Sequence, residues 1–190
     1  TARAALAAFD PPSRMFNVQS GIQSKTRDDA KSFFIKVIGS FKYLPDFFQP
    51  IYDYKKIQST LGFRNPTSAQ KLNKQAKELN SDVTFKSSDN LAYDSQKLIR
   101  YVRDEFAKID VKDPKMNIVE GWSIVKPTMS LGSKSIIGKA YFTSTVEEGG
   151  SAPAQELWKG SGWQERDKDL NRTKSGLCRL FTPAYENDED

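Results

Sequence analysis

The chain has no histidine and a single cysteine, Cys178, in 190 residues. Imidazole is the usual proton carrier near neutral pH, and His and Cys supply most transition-metal ligands and thiol nucleophiles. Their scarcity points away from catalysis and toward binding, and no catalytic residue, metal ligand or cofactor is assigned from the sequence. One cysteine excludes an internal disulfide and hence a disulfide-stapled scaffold. No run of eighteen apolar residues occurs, so no segment reads as a membrane-spanning helix. Apolar residues are also sparse, at 37%, below the usual share for a soluble domain.

Aromatic residues and positive charge are plentiful. Twelve Phe, seven Tyr and three Trp accompany a formal net charge of +5. Disordered chains rarely carry so many aromatics, so the composition suggests a modest core plus segments that bury rings elsewhere. The excess Lys and Arg is spread along the chain without a basic run, and the end, Glu186 to Asp190, is acidic. Such a spread favours long-range attraction to acidic partners. The opening Thr1-Ala2-Arg3-Ala4-Ala5-Leu6-Ala7-Ala8-Phe9 is rich in small residues, with one positive charge and no acid before Asp10. It reads as the end of a targeting segment.

Residues 1–25, with Pro11-Pro12, read as an extended arm. Thr26 followed by Asp28 and Asp29 makes a helix start. Phe33, Phe34, Val37, Ile38 and Phe41 then predict an apolar helical stripe over 26–41. Six aromatics crowd residues 42–63, where Pro45 and Pro50 prevent a continuous helix. Of these, Phe47, Phe48, Tyr52 and Tyr54 are candidate anchors for a partner, because aromatics are enriched in interface cores. Asn65-Pro66 predicts a helix to about residue 80, with Lys71, Lys74 and Lys77 as a basic stripe. Leu91, Leu98, Val102, Phe106 and Ile109 predict a further helix over 88–110. Residues 116–146 carry β-branched runs and read as short strands. Residues 147–190 have little periodicity, and Trp158 and Trp163 are candidate anchors within them. The expected fold is mainly α: an arm over 1–25, a helical body over 26–115, and an extended region with a few short strands over 116–190.

Reaction motifs do not emerge. Gly132 to Ala140 approaches a phosphate-binding loop, but five residues separate its glycines and Ala140 follows the lysine, where four and Ser or Thr are needed. Nucleotide hydrolysis is therefore not expected. Adjacent carboxylates occur at Asp28-Asp29, Asp104-Glu105 and Glu147-Glu148. On a helix such neighbours point about 100° apart, so none forms a ready acid/base pair. Cys178 reads as a small buried hydrophobe. Lys and Arg interleaved with aromatics leave nucleic-acid binding, as in a ribonucleoprotein accessory protein, as the alternative function.

The whole-chain character resembles the linker polypeptides of phycobilisomes. The resemblance rests on the Arg3–Phe9 leader remnant, the Tyr43–Phe63 aromatic belt and the extended 116–185 region. It implies a non-catalytic, basic linker or accessory subunit of a plastid light-harvesting assembly. Such a subunit would bridge larger acidic proteins and require no cofactor.

Overall fold

Four parallel strands run side by side through the centre of this computed structural model, which describes residues 18–63, 80–109, 114–131, 135–145, 151–169 and 171–181. Strand β1 (Gln19–Gln23) leads into helix α1 (Arg27–Lys42), and β2 (Thr60–Phe63), β3 (Ser81–Lys86) and β4 (Leu98–Asp104) follow. Helix α2 (Ile118–Thr128) precedes the short β5 (Ser130–Leu131) and β6 (Ser135–Ile136), then β7 (Lys139–Thr143) and helix α3 (Ala152–Lys159). The five-stranded sheet has the order β2-β3-β1-β4-β7. Its β3-β1-β4-β7 pairings are parallel, and β2 runs antiparallel to β3 at one edge. Parallel strands need crossover connections and helical cover. Here α1 lies in the β1-to-β3 connection and α2 in the β4-to-β7 connection.

The expectation of a mainly helical body with extended arms is thereby corrected to an α/β fold. Helix α1 matches the stripe read over 26–41. The Thr26 hydroxyl accepts the Asp29 N–H at 3.1 Å, and Ala30, Phe34, Val37, Ile38 and Phe41 are buried. The last four pack with Ile22, Leu61, Phe63 and Val83, and the Phe41 ring meets Tyr52 and Phe63 edge-on. The helix expected over 88–110 is instead a turn-rich connection followed by β4. Ile99, Tyr101 and Val102 favour the pleated backbone, and Ser95 adopts a left-handed φ of 60° that ends any helical run. The helix expected over 66–80 falls in a stretch lying outside the described residues.

The strands expected over 117–125 are helical for a reason also local to the sequence. Asn117 caps α2, its Oδ1 accepting the N–H groups of Val119 (2.9 Å) and Glu120 (3.2 Å). Ile118, Gly121, Trp122 and Val125 then fall on one buried face, the i, i+3, i+4, i+7 pattern of an amphipathic helix. Cap and period together outweigh the β-branched composition. This face packs on Tyr93, Leu98, Tyr101, Ile109, Met129 and Leu157. Tyr101, Phe106 and Trp122 surround the Phe142 ring edge-on at 5.2–5.9 Å. Gly138 fits because a Cβ there would stand 2.6 Å from the Met129 Cβ and 2.8 Å from the Leu98 carbonyl.

Tyr93 secures the connection between β3 and β4. Its buried hydroxyl accepts the Ile22 N–H at 3.1 Å and donates to the Thr84 carbonyl at 2.9 Å. Its ring lies over Gly21, where a Cβ would come within 2.7 Å of it. Burial raises the pKa of Tyr93, and of Tyr101 beside it. Both hold their protons in the folded state where the unfolded chain loses them, so their contribution is complete below about pH 10 and is lost as pH rises further. Replacing the Tyr93 hydroxyl (Tyr93→Phe) is expected to cost about 1–3 kcal/mol at neutral pH. In denaturant titrations repeated across pH, that variant should also lose less stability above about pH 10 than the parent.

Candidate functional site

The two central strands send their chains in opposite directions. β1 connects toward β3, while β4 connects toward β7 on the other side. In open α/β sheets, ligands bind in the crevice that such a switch opens beyond the carboxyl ends of the strands. Gln23 and Ser24 end β1 here, Asp104 and Glu105 end β4, and Thr143, Ser144 and Thr145 end β7.

The carboxylates are held by hydroxyls from β7, paired in register with β4 so that Asp104 lies opposite Thr143. The Thr143 hydroxyl donates to Asp104 Oδ1 at 2.8 Å. Glu105 turns the chain sharply, with φ 51° and ψ 39°, the left-handed region that non-glycine residues adopt at a cost. Its Oε2 accepts from Lys108 Nζ at 3.0 Å and from the Thr145 hydroxyl at 3.5 Å. Ser144 Oγ accepts the Ala107 N–H at 3.3 Å, and the Lys108 N–H bonds the Glu105 carbonyl at 3.0 Å. Asp104 and Glu105 are both half-buried, one strand in from β7, the sheet edge among the described residues.

Two oxygen-donor side chains fixed by hydroxyls suit a hard cation that keeps most of its shell as water or substrate oxygens. Magnesium is typically bound in this way, through one or two carboxylates plus substrate phosphates. Among the described residues no cluster of three or more His, Cys, Asp or Glu offers a complete metal cage. The pair therefore fits magnesium carried with a phosphate substrate better than a resident structural ion.

The residues singled out from the sequence lie elsewhere. Phe47 and Phe48 are exposed on a short 3-10 turn, their rings tilted by 43° with centroids 4.3 Å apart. Tyr54 is exposed, and half-buried Tyr52 packs on Phe41 beside the α1 core. Trp158, on α3, and Trp163, on the turn after it, are exposed, with Arg179 and Arg166 over their respective rings. Lys71, Lys74 and Lys77 lie outside the described residues. Cys178, expected to be buried, is exposed. A cavity of about 630 Å³ between α2 and α3 is lined by residues including Trp122, Lys126, Lys159 and Ser175, but by neither carboxylate. Lys126 and Trp122 both donate to the Ser175 carbonyl, and burial, aided by Arg172, lowers the Lys126 pKa.

The sequence reading sets Asp104-Glu105 aside as helical neighbours that form no acid/base pair, and it does not single out the Thr143-Ser144-Thr145 stretch. A usable signal was present: a β-prone run, Leu98 to Arg103, ending abruptly in two adjacent carboxylates. Assigning that run to a helix hid it.

No protein-family model and no curated protein sequence matches the chain. Among solved structures it is similar to the large terminase ATPase domain of Thermus phage P74-26, with a TM-score of 0.56 and 21% identity over 93% of this chain. A single-substitution variant of that domain gives the same TM-score at 22% identity. The chain spans 64% of the length of either neighbour. At such identities the likeness establishes the fold, an α/β architecture of the kind found in those ATPase domains. It overturns the phycobilisome-linker resemblance, the light-harvesting role attached to it and the expectation of a non-catalytic protein, since the chain shares the architecture of enzyme domains.

The left-handed turn at Glu105 gives a direct test of the site geometry. Glycine adopts that backbone without the Cβ penalty and alanine does not. Glu105→Gly is therefore expected to be more stable than Glu105→Ala by about 1 kcal/mol, read from paired denaturant titrations.

Proposed function

We propose that these residues belong to a nucleoside-triphosphate-hydrolysing core of the terminase ATPase type, with Asp104 and Glu105 as its carboxylates. The observation that carries this reading is the placement of Asp104-Glu105 at the carboxyl end of β4, beside the topological switch point. In phosphoryl-transfer enzymes of the P-loop class, an aspartate in such a position holds the magnesium ion, and a neighbouring polar or acidic group orients the attacking water. The fold likeness supports the reading by analogy.

Asp104, half-exposed and steadied by Thr143, is suited to hold magnesium. A magnesium ion held there would supply charge stabilisation to the phosphate oxygens of a bound nucleotide. Glu105 follows β4 on left-handed backbone, and Lys108 and Thr145 bond its Oε2, so its other oxygen is the one to meet an attacking water. It is suited to orient that water and accept its proton. Thr143, Ser144 and Thr145 tie β7 to both acidic residues and to the 105–108 turn, so a displacement of β7 would be transmitted to the carboxylates. Gly138, the one described glycine of the near-match loop, packs against Met129 and Leu98.

The test is magnesium-dependent ATP hydrolysis by the full-length protein. Glu105→Gln is expected to lower kcat by at least ~10²-fold while ATP binding, followed by fluorescent-analogue titration, is retained. Absence of hydrolysis in the parent protein, or an unchanged kcat in this variant, would defeat the reading.

A further inference from the structure

Arg103, immediately before the carboxylate pair, is fully buried. Among the described residues no carboxylate pairs with it, and its Nε has no hydrogen-bond partner. Burying a cation without a counter-charge is costly, and an apolar side chain of similar volume would ordinarily serve stability better. The arrangement around it is nonetheless specific. One terminal nitrogen donates to Gln23 Oε1 at 2.9 Å and to the Tyr101 hydroxyl at 3.1 Å, and the other donates to the Ser88 carbonyl at 2.9 Å. The three acceptors come from β1, β4 and the connection after β3.

Gln23, opposite Arg103 in the β1-β4 register, is itself saturated. Its Nε2 donates to the Ser87 carbonyl at 2.5 Å and the Asp89 carbonyl at 3.0 Å, while Oε1 also accepts the Tyr101 hydroxyl at 2.5 Å. All four of its hydrogen-bonding positions are used, so its amide has one favourable orientation. A planar guanidinium bound to so fixed an acceptor set resists both rotation and sliding.

We infer that Arg103 is a positioning residue for Asp104 and Glu105, anchoring the end of β4 to β1 and to the 87–89 segment. Successive strand residues point to opposite faces. Anchoring Arg103 on the α2 side therefore sets where Asp104 emerges on the other side to meet Thr143. The left-handed turn at Glu105 begins two residues after the anchor, and strained backbone persists only where its surroundings over-determine it. Arg103 provides that constraint from the strand side, and Lys108 and Ser144 provide it from the turn side. The catalytic consequence rests on the hydrolytic reading above, whereas the geometric one does not.

The experiment compares the full-length parent with Arg103→Met, which keeps volume and removes every donor, by ATPase kinetics and amide hydrogen exchange. The expected result is a kcat lower by about 10- to 100-fold, as for misplacement of a reacting group by around an ångström, with KM for ATP within about threefold. The amides of Ala107 and Lys108 should exchange faster, while those of Phe34 to Phe41 in α1 stay unchanged. A folded variant with parental kcat, or with parental exchange at Ala107 and Lys108, overturns the inference. Should Arg103→Met not fold, Tyr101→Phe removes one hydroxyl from the same cluster and preserves packing. A several-fold loss of kcat at unchanged KM is expected there, and an unchanged kcat overturns the inference. A parent protein that hydrolyses no ATP counts against the proposed function alone, because the exchange comparison still decides the positioning role.

Discussion

The pairing of β1 with β4 is the constraint on which the rest of the structure depends. These strands sit at the centre of the sheet, covered by α1 on one face and by α2 with the 87–97 connection on the other. Gln23 and Arg103 are buried where these strands end, so their polar atoms must be met by protein. Gln23 meets the requirement with a single side chain, tying its own strand to Tyr101 and Arg103 of β4 and to two carbonyls beyond β3. Tyr93 does the same from above, bonding the Ile22 backbone and the Thr84 carbonyl. The connection from β3 to β4 contains no helix, and these two side chains substitute for the helical cover that a parallel crossover normally brings.

Once the central pair is fixed, the remaining geometry follows with little freedom. The switch point falls between β1 and β4 because α1 and α2 lie in connections that lead away from it in opposite directions. Asp104 must then emerge next to Thr143, since β7 can extend the sheet only beyond β4. The local backbone does not relax there: Glu105 takes a left-handed conformation with an ion pair that is half-exposed and contributes little. Strain of this kind and a buried cation one residue before the carboxylates both oppose stability. Their coincidence at one strand end is the kind of outlier from which a functional site is proposed.

The sequence revealed the parts of the fold whose signals are local. Thr26, the acidic first turn and the Phe34-to-Phe41 stripe describe α1 completely, because capping and amphipathic period agree. Where two local signals conflict, composition alone misleads. Ile118, Val119, Ile124 and Val125 are β-branched, yet Asn117 caps them and the helical period buries one face. Leu98, Val102 and Phe106 fit a helical spacing, yet Ser95 breaks the chain before them and Ile99, Tyr101 and Val102 suit a central strand. Nothing local announces that Thr143 will stand beside Asp104, thirty-nine positions earlier. That proximity is created by the sheet order, which depends on α2 being a helix. The candidate site became invisible through the same two misassignments that altered the fold class.

The missing histidines also acquire a narrower meaning. A chain without imidazole is poorly suited to chemistry that shuttles protons near neutral pH through a side chain of matching pKa. Phosphoryl transfer makes a different demand, being dominated by positioning and by stabilisation of charge on phosphate oxygens. Carboxylates, hydroxyls and backbone amides supply the protein's share of that work, and none of them is scarce here. Absence of a residue type excludes only those reactions that require it. The exposed aromatics Phe47, Phe48, Trp158 and Trp163 lie on other elements: the 3-10 turn after α1, helix α3 and the turn that follows it. None of them is among the residues that hold Asp104 and Glu105, so a binding surface and the proposed hydrolytic site need not share residues.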